Sequence, residues 1–300
     1  MHNKDSIASE FMLLQDSICQ SLEEFDEKAR FLEDIWQRKE GGGGRSRVIE
    51  GGRLFEKAGV NFSKVYGKTP DFIQEDTSKK NLESQFFATG VSIVIHPLNP
   101  WVPIIHMNIR YFEKDSGLSW FGGGIDLTPH YVLLDDAKYF HQELKKVCDQ
   151  HDVADYVKFK KEADDYFFIP HRNETRGIGG IFFDHLKPAD QTEKDKLFNF
   201  VISVGKLFAP LYLEIVSRNM EKLYTDEEQK WQRLRRGRYV EFNLVYDRGT
   251  KFGLETNGRT ESILMSLPPQ ADWDYNRMPE QGTKEAESLT FLKKGIAWLE

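Results

Sequence analysis

The sequence predicts an α+β fold: a single domain, residues 1–300, on a large antiparallel β-sheet with helices on both faces. Three observations predict it. Helical periodicities stand at both ends of the chain, around a strand-rich centre from about 60 to 132. Within that centre, 91–96 and 104–111 alternate at period two and are joined by "PLNPWVP", a connection suited to paired antiparallel strands. No linker, repeat or long low-complexity tract divides the chain.

The elements follow in order. Ile7, Phe11, Leu14, Ile18, Leu22, Phe25, Ala29, Leu32 and Trp36 recur at steps of three and four, predicting a helix within 1–40, capped by Asp5 or Ser6. "GGGGRSRVIEGG" (41–52) predicts a loop, read either as a lid or as a plain connector. After the central strands, helices are predicted at 135–150, at 152–169 ending before Pro170, and at 191–220 with an interruption at Pro210. Thr225 and Glu228 have the spacing of a capping box opening a fourth. Strands are predicted at 238–247 and 250–255, then helices from near Arg259 and over 284–298.

Composition narrows the function. Hydrophobic residues make up 39% and charged residues 30%, with a net charge of -7, which argues against a nucleic-acid or anionic-membrane partner. No run reaches transmembrane length, so no membrane span is expected. Two cysteines, Cys19 and Cys148, and no CxxC suit a reducing compartment. The opening "MHNKDSIASE" lacks the pattern of a signal peptide, so a cytoplasmic location is expected. GxSxG, HExxH, Walker and haem CxxCH signatures are absent, and there is no convincing GxGxxG.

The chemistry concentrates in the strands. In 104–111, Ile105, Met107, Ile109 and Tyr111 share one face, and His106, Asn108 and Arg110 the other. Ser92 and His96 belong to the polar side of 91–96. If His96 pairs with His106, Ser92 falls opposite Arg110, and one face gathers Ser92, His96, His106, Asn108 and Arg110. A solvated hairpin face is the plain account. But solvated strands favour Thr, Lys and Glu, whereas imidazole, amide and guanidinium groups suit a pocket. In "WFGGGIDLTPHY" (120–131), glycines permit close approach and Asp126 is a candidate base or N–H acceptor, or else a turn cap. His130 reads as a turn residue, and His141, on the inward stripe of its helix, as a core residue. "RGIGG" (176–180) is a weak phosphate cradle, but Arg176 near the tight turn suits a carboxylate. Gly258 and Arg259, at a helix start, suit an anion or simply a turn and cap.

Taken together, "GVSIVIHPLNPWVPIIHMNIRYFE", "WFGGGIDLTPHY", "RGIGGIFFD", "RRGRYVEFNLVYDRGTKFGLETNGRTESILMSLPP" and "GGRLFEKAGVNFSKVYG" resemble the oxygen-dependent coproporphyrinogen III oxidases over about residues 50–275. One departure is "NGR" at 257–259, where the family usually reads "GGR"; Asn tolerates the same left-handed backbone at some cost. The resemblance implies a homodimer, with its contact over 239–274. It implies conversion of two propionates of coproporphyrinogen III to vinyls, giving protoporphyrinogen IX in haem synthesis. Molecular oxygen is the co-substrate, CO₂ and hydrogen peroxide leave, and no flavin, haem or nicotinamide is needed. It makes His106 the proton donor. Substrate contacts fall to Ser92, Asn108, Ile109, Arg110 and the turn Asn257–Gly258–Arg259. From bacterial members it also implies a divalent metal, manganese, on His96, His106, His141 and His171, although four imidazoles suit zinc, copper, iron or nickel better. A tetrapyrrole with four carboxylates and four pyrrole N–H groups needs cations at its edges, for which Arg110, Arg176 and Arg259 are candidates. It also needs a central acceptor, for which Asp126 is the candidate base. Two further readings remain: a metal-dependent oxygenase or hydrolase on another anion, and a tetrapyrrole carrier without catalysis.

Overall fold

The computed structural model describes residues 1–68, 84–255 and 258–299. Seven strands form one wholly antiparallel sheet: β1 (Leu32–Gln37), β2 (Gly42–Glu50), β3 (Phe55–Lys68), β4 (Gln85–Pro97), β5 (Ile104–Lys114), β6 (Ser119–Thr128) and β9 (Gly180–Leu186). Spatial order follows chain order until β6, which pairs with β9 after a helical excursion. That excursion holds α2 (Leu134–Asp149), α3 (Tyr156–Tyr166) and a two-stranded ribbon, β7 (Phe168–Ile169) with β8 (Glu174–Thr175).

The apolar strand face packs against α1 (Lys4–Asp26) and α4 (Gln191–Asn219). Ile7, Phe11, Ile18 and Leu22 of α1 are all buried in a common core with Val91, Ile93, Met107, Ile109 and Ile125. Full burial of such side chains stabilises by roughly 1.5–3 kcal/mol each before entropic costs. α4 passes through Pro210 without ending, and by length and composition it is the described helix apolar enough to cross a membrane. Most of that apolar stretch is buried inside this fold, as a core helix requires. The polar strand face is partly roofed by α5 (Asp226–Val245) and the short α7 (Thr260–Leu264), with α6 (Arg248–Glu255) between them. Met265 lies close over Gly59 of β3, and Lys57 donates to the Leu267 carbonyl at 3.0 Å. α8 (Lys284–Phe291) is shorter than the 284–298 predicted.

Three expectations are corrected. The N-terminal helix ends at Asp26, where Glu27 turns into positive φ at 65°, so Leu32 and Trp36 belong to β1 despite their helical spacing; its cap is Asn3, not Asp5 or Ser6. The glycine-rich 41–52 is mostly strand β2. A Cβ on Gly44 would sit 2.3 Å from the Trp36 ring and 2.4 Å from the Phe62 carbonyl, so glycine there serves close packing and not mobility. The strands expected at 238–247 and 250–255 are helices α5 and α6: the Thr225–Glu228 capping box starts a helix whose apolar Tyr239, Phe242 and Tyr246 keep helical spacing.

Candidate active site

The register differs from expectation by two residues. Ser92 faces Asn108, Val94 faces His106 and Gly90 faces Arg110. A shift of two leaves every side chain on its expected face. A polar row therefore crosses the sheet: Asp34, Ser46, Asn61, Ser92, Asn108 and Gly124 are successive cross-strand partners from β1 to β6. One step along, His106 pairs with Asp126; one step the other way, Arg110 pairs with Gly122. Asn61, Ser92, His106, Asn108 and Arg110 are partly exposed in mid-sheet and form a floor. Phe182, stacked on Tyr166 with ring centroids 4.2 Å apart, and Phe167 supply an apolar wall beside it.

Beneath His106 lies a buried ion pair. Arg176 donates from Nη2 to Asp126 Oδ1 at 2.7 Å and from Nε to Oδ2 at 3.3 Å, and both side chains are almost fully buried. Its Nη1 donates to Asn243 Oδ1 at 2.8 Å. The guanidinium also stacks on Phe167, Tyr239 and Phe242, with centroids 4.5, 4.7 and 4.6 Å away. Burial alone would push the Asp126 carboxyl up, but the Arg176 charge and the His106 hydrogen bond outweigh it and hold it below the usual carboxylate range. An ionised carboxylate only accepts, so the 2.8 Å contact fixes a hydrogen on His106 Nδ1. The Nε2 atom takes no hydrogen bond among the described residues and belongs to the exposed part of the ring.

Arg110 is held flat on the sheet. It donates to Asn108 Oδ1 at 3.0 Å and pairs with Asp184 Oδ1 at 2.8 Å. On the far side of the floor, Arg259, the N-cap residue of α7, bonds Asp34 and Ser262, while Ser262 meets Ser46 at 2.8 Å. From β2 to β5 is three strand spacings, roughly 14 Å. Cations on the two sides suit carboxylates on different rings of a large ligand.

Not every predicted residue joins this floor. Ile109 is fully buried on the opposite, apolar face. Arg176 is enclosed and cannot grip an external carboxylate; its partner is Asp126. Asn257 lies outside the described residues, and Gly258 donates its N–H to the Gly253 carbonyl at 2.7 Å.

The four histidines do not assemble into a metal site. His96 is fully buried, donates from Nε2 to the Ser266 carbonyl at 2.8 Å and leaves Nδ1 without a partner. Burial and the nearby Arg236 charge keep it neutral. His141 sits in the main core across the sheet, bonded to the Tyr156 hydroxyl at 2.8 Å and the Ile178 carbonyl at 3.0 Å, with burial lowering it to about 3. His171 is on the surface between Glu241 at 2.7 Å and Tyr246 at 2.8 Å. Among the described residues no three His, Cys, Asp or Glu converge as metal ligands. The residues present therefore do not fit a four-histidine centre.

A coproporphyrinogen III oxidase family model matches residues 6–298. The chain belongs to that family. It is 46% identical to the oxygen-dependent coproporphyrinogen-III oxidase of Prochlorococcus marinus, covering 99% of this chain and 93% of that protein. It is 48% identical to the chloroplastic coproporphyrinogen-III oxidase 1 of Arabidopsis thaliana (95% and 76%) and 49% identical to the mitochondrial oxygen-dependent enzyme of Rattus norvegicus (96% and 67%). Within this family floor, Asn61, Asn243, Asp184 and the aromatic cage went unread from sequence. Asn243, Tyr239 and Phe242 carry a recognisable i, i+3, i+4 signal once 226–245 is taken as helix.

Proposed function

We propose that the chain catalyses oxygen-dependent oxidative decarboxylation of two propionates of coproporphyrinogen III to vinyls, yielding protoporphyrinogen IX for haem and porphyrin synthesis. One observation carries the reading. The Arg176–Asp126–His106 relay ends in an imidazole at an open floor beside Arg110, in a chain matched to this family over nearly its whole length. Each step balances as propionate plus O₂ plus one proton giving vinyl, CO₂ and hydrogen peroxide. Two electrons leave the electron-rich substrate and reduce the oxygen. Arg110 and Arg259 hold propionates at the edges, and so set which one reaches the chemistry. His106 moves the proton through Nε2, and Asp126 stabilises the imidazolium that carries it. Asp126 acts through His106, because its carboxylate is buried beneath the ring.

Exposed apolar side chains at Leu244, Val245, Leu254 and Trp273 support a homodimer contact over 239–274, which sedimentation would test. The compartment we favour is the cytoplasm, alongside relatives named chloroplastic and mitochondrial. The test of function is aerobic against anaerobic incubation with coproporphyrinogen III. Oxygen-dependent release of two CO₂ per substrate with vinyl product is expected. Binding without CO₂ release would leave a carrier and overturn the proposal.

A further inference from the structure

Arg110 is already paired with a carboxylate. Asp184, from the sheet-end strand β9, lies 2.8 Å from its guanidinium, and both side chains are partly exposed at the floor. The pair rests on Gly122: a Cβ there would come within 2.6 Å of Asp184 Oδ1 and 2.8 Å of Arg110 Nη2. Asp184 also has other company. It accepts the backbone N–H of His185 at 2.9 Å, and the His185 ring stands 3.5 Å from its second oxygen. His185 takes positive φ, 52°, unusual for a residue with a side chain. The ladder of β9 is thus interrupted at Asp184 and His185, opposite Gly122, before Leu186 pairs again with Phe121. A second pair repeats the pattern across the floor, where Arg259 is bonded to Asp34 of β1.

We propose that Asp184 is a place-holding carboxylate. It keeps Arg110 oriented and neutralised until a substrate propionate takes the same guanidinium edge, and then falls back on the His185 N–H and ring. This rests on Arg110 being a propionate grip, as read above. The exchange makes Asp184 a specificity-determining residue. A weak or singly charged anion does not displace it, whereas a ligand whose other carboxylates are held elsewhere on the floor does.

The test uses the full chain with coproporphyrin III, the oxidised tetrapropionate, in fluorescence titrations, and KM for the porphyrinogen in parallel. Arg110→Gln is expected to weaken binding. Asp184→Asn is expected to tighten it about three- to fivefold, since the competing exposed pair is of that strength, and to lower KM by the same factor. Asp184→Ser, which keeps an acceptor for the His185 N–H, carries the same expectation should the Asn variant fold poorly. In the Arg110→Gln background the gain should vanish. If Arg110→Gln binds normally, Arg110 is no grip and the underlying reading fails. If Arg110→Gln weakens binding but Asp184→Asn leaves it unchanged or weaker, the exchange is wrong and Asp184 is a fixed orienting group. A gain that persists without Arg110 would also overturn it, as a general field effect.

Discussion

Replacing Asp126 by Asn tests the relay and separates its structural cost from its chemical one. Arg176 is 2% exposed and Asp126 1%, so neutralising the carboxylate leaves a guanidinium buried with Asn243 and three aromatic faces, but no anion. Breaking one partner of such a pair costs about 3–5 kcal/mol. For a chain of this length that is on the order of 10 °C in melting temperature. The chemical cost is distinct. An amide can present its NH₂ to Nδ1 and invert the imidazole tautomer, taking the hydrogen from the atom that must carry it; kcat should fall about 10²–10⁴-fold. Arg176→Met combined with Asp126→Asn removes both charges. Stability should recover by about 2 kcal/mol relative to the sum of the single changes, while turnover stays low. Urea denaturation and CO₂ release measure the two quantities. Near-normal turnover in Asp126→Asn, or strictly additive destabilisation in the double variant, would refute the relay.

Two further outcomes follow from the same geometry. Burial raises the Glu241 carboxyl, but Arg172, His171 and Arg238 outweigh that and hold it at about 2. A carboxyl depressed on folding stabilises above its unfolded value, about 4.3, and loses that contribution as pH falls towards the folded value. Glu241→Gln should therefore be less stable than wild type at pH 6, with the gap closing between about pH 4 and pH 2 in denaturant titrations; a constant gap would contradict the ion-pair account. Because His96, His141 and His171 are committed to carbonyls, hydroxyls and a carboxylate in separate places, extended dialysis against a chelator should leave kcat within about twofold. Loss of activity restored by manganese would show that the histidines bind metal in another arrangement.

The sheet and its chemical face were legible because strict alternation in 104–111 assigns faces without any knowledge of register. The two-residue register error was harmless for the same reason: the side-chain period is two. Elsewhere local pattern misled. Leu32 and Trp36 continue a helical spacing that Glu27 has already ended, and nothing in the periodicity records a positive-φ exit. The run 41–44 looked like a breaker because glycine signals mobility and close packing alike; only the Trp36 ring above Gly44 distinguishes them. "RYVEFNLVYD" has strand-like composition, yet it lies downstream of a capping box that commits the chain to helix. Arg176 was read as a cation for the ligand because sequence cannot report depth: it is enclosed by Phe167, 9 positions before it, and by Tyr239 and Phe242, 63 and 66 positions after it. Asp184 went unnoticed since one acidic residue at a strand end carries no pattern.

The floor from Asp34 to Gly124 takes one residue from each of six strands, five short side chains and a bare glycine backbone, and neighbouring contributions meet only where the strands between them are paired. No single hairpin supplies more than two of its six positions. Recognition of a broad, flat tetrapyrrole is thereby tied to completion of the whole sheet: partly assembled chains gain nothing from the ligand, and its binding energy accrues solely to the finished molecule. Thermal protection by a bound porphyrin would consequently report on the entire sheet, from its first strand onward, and not on the neighbourhood of His106 alone.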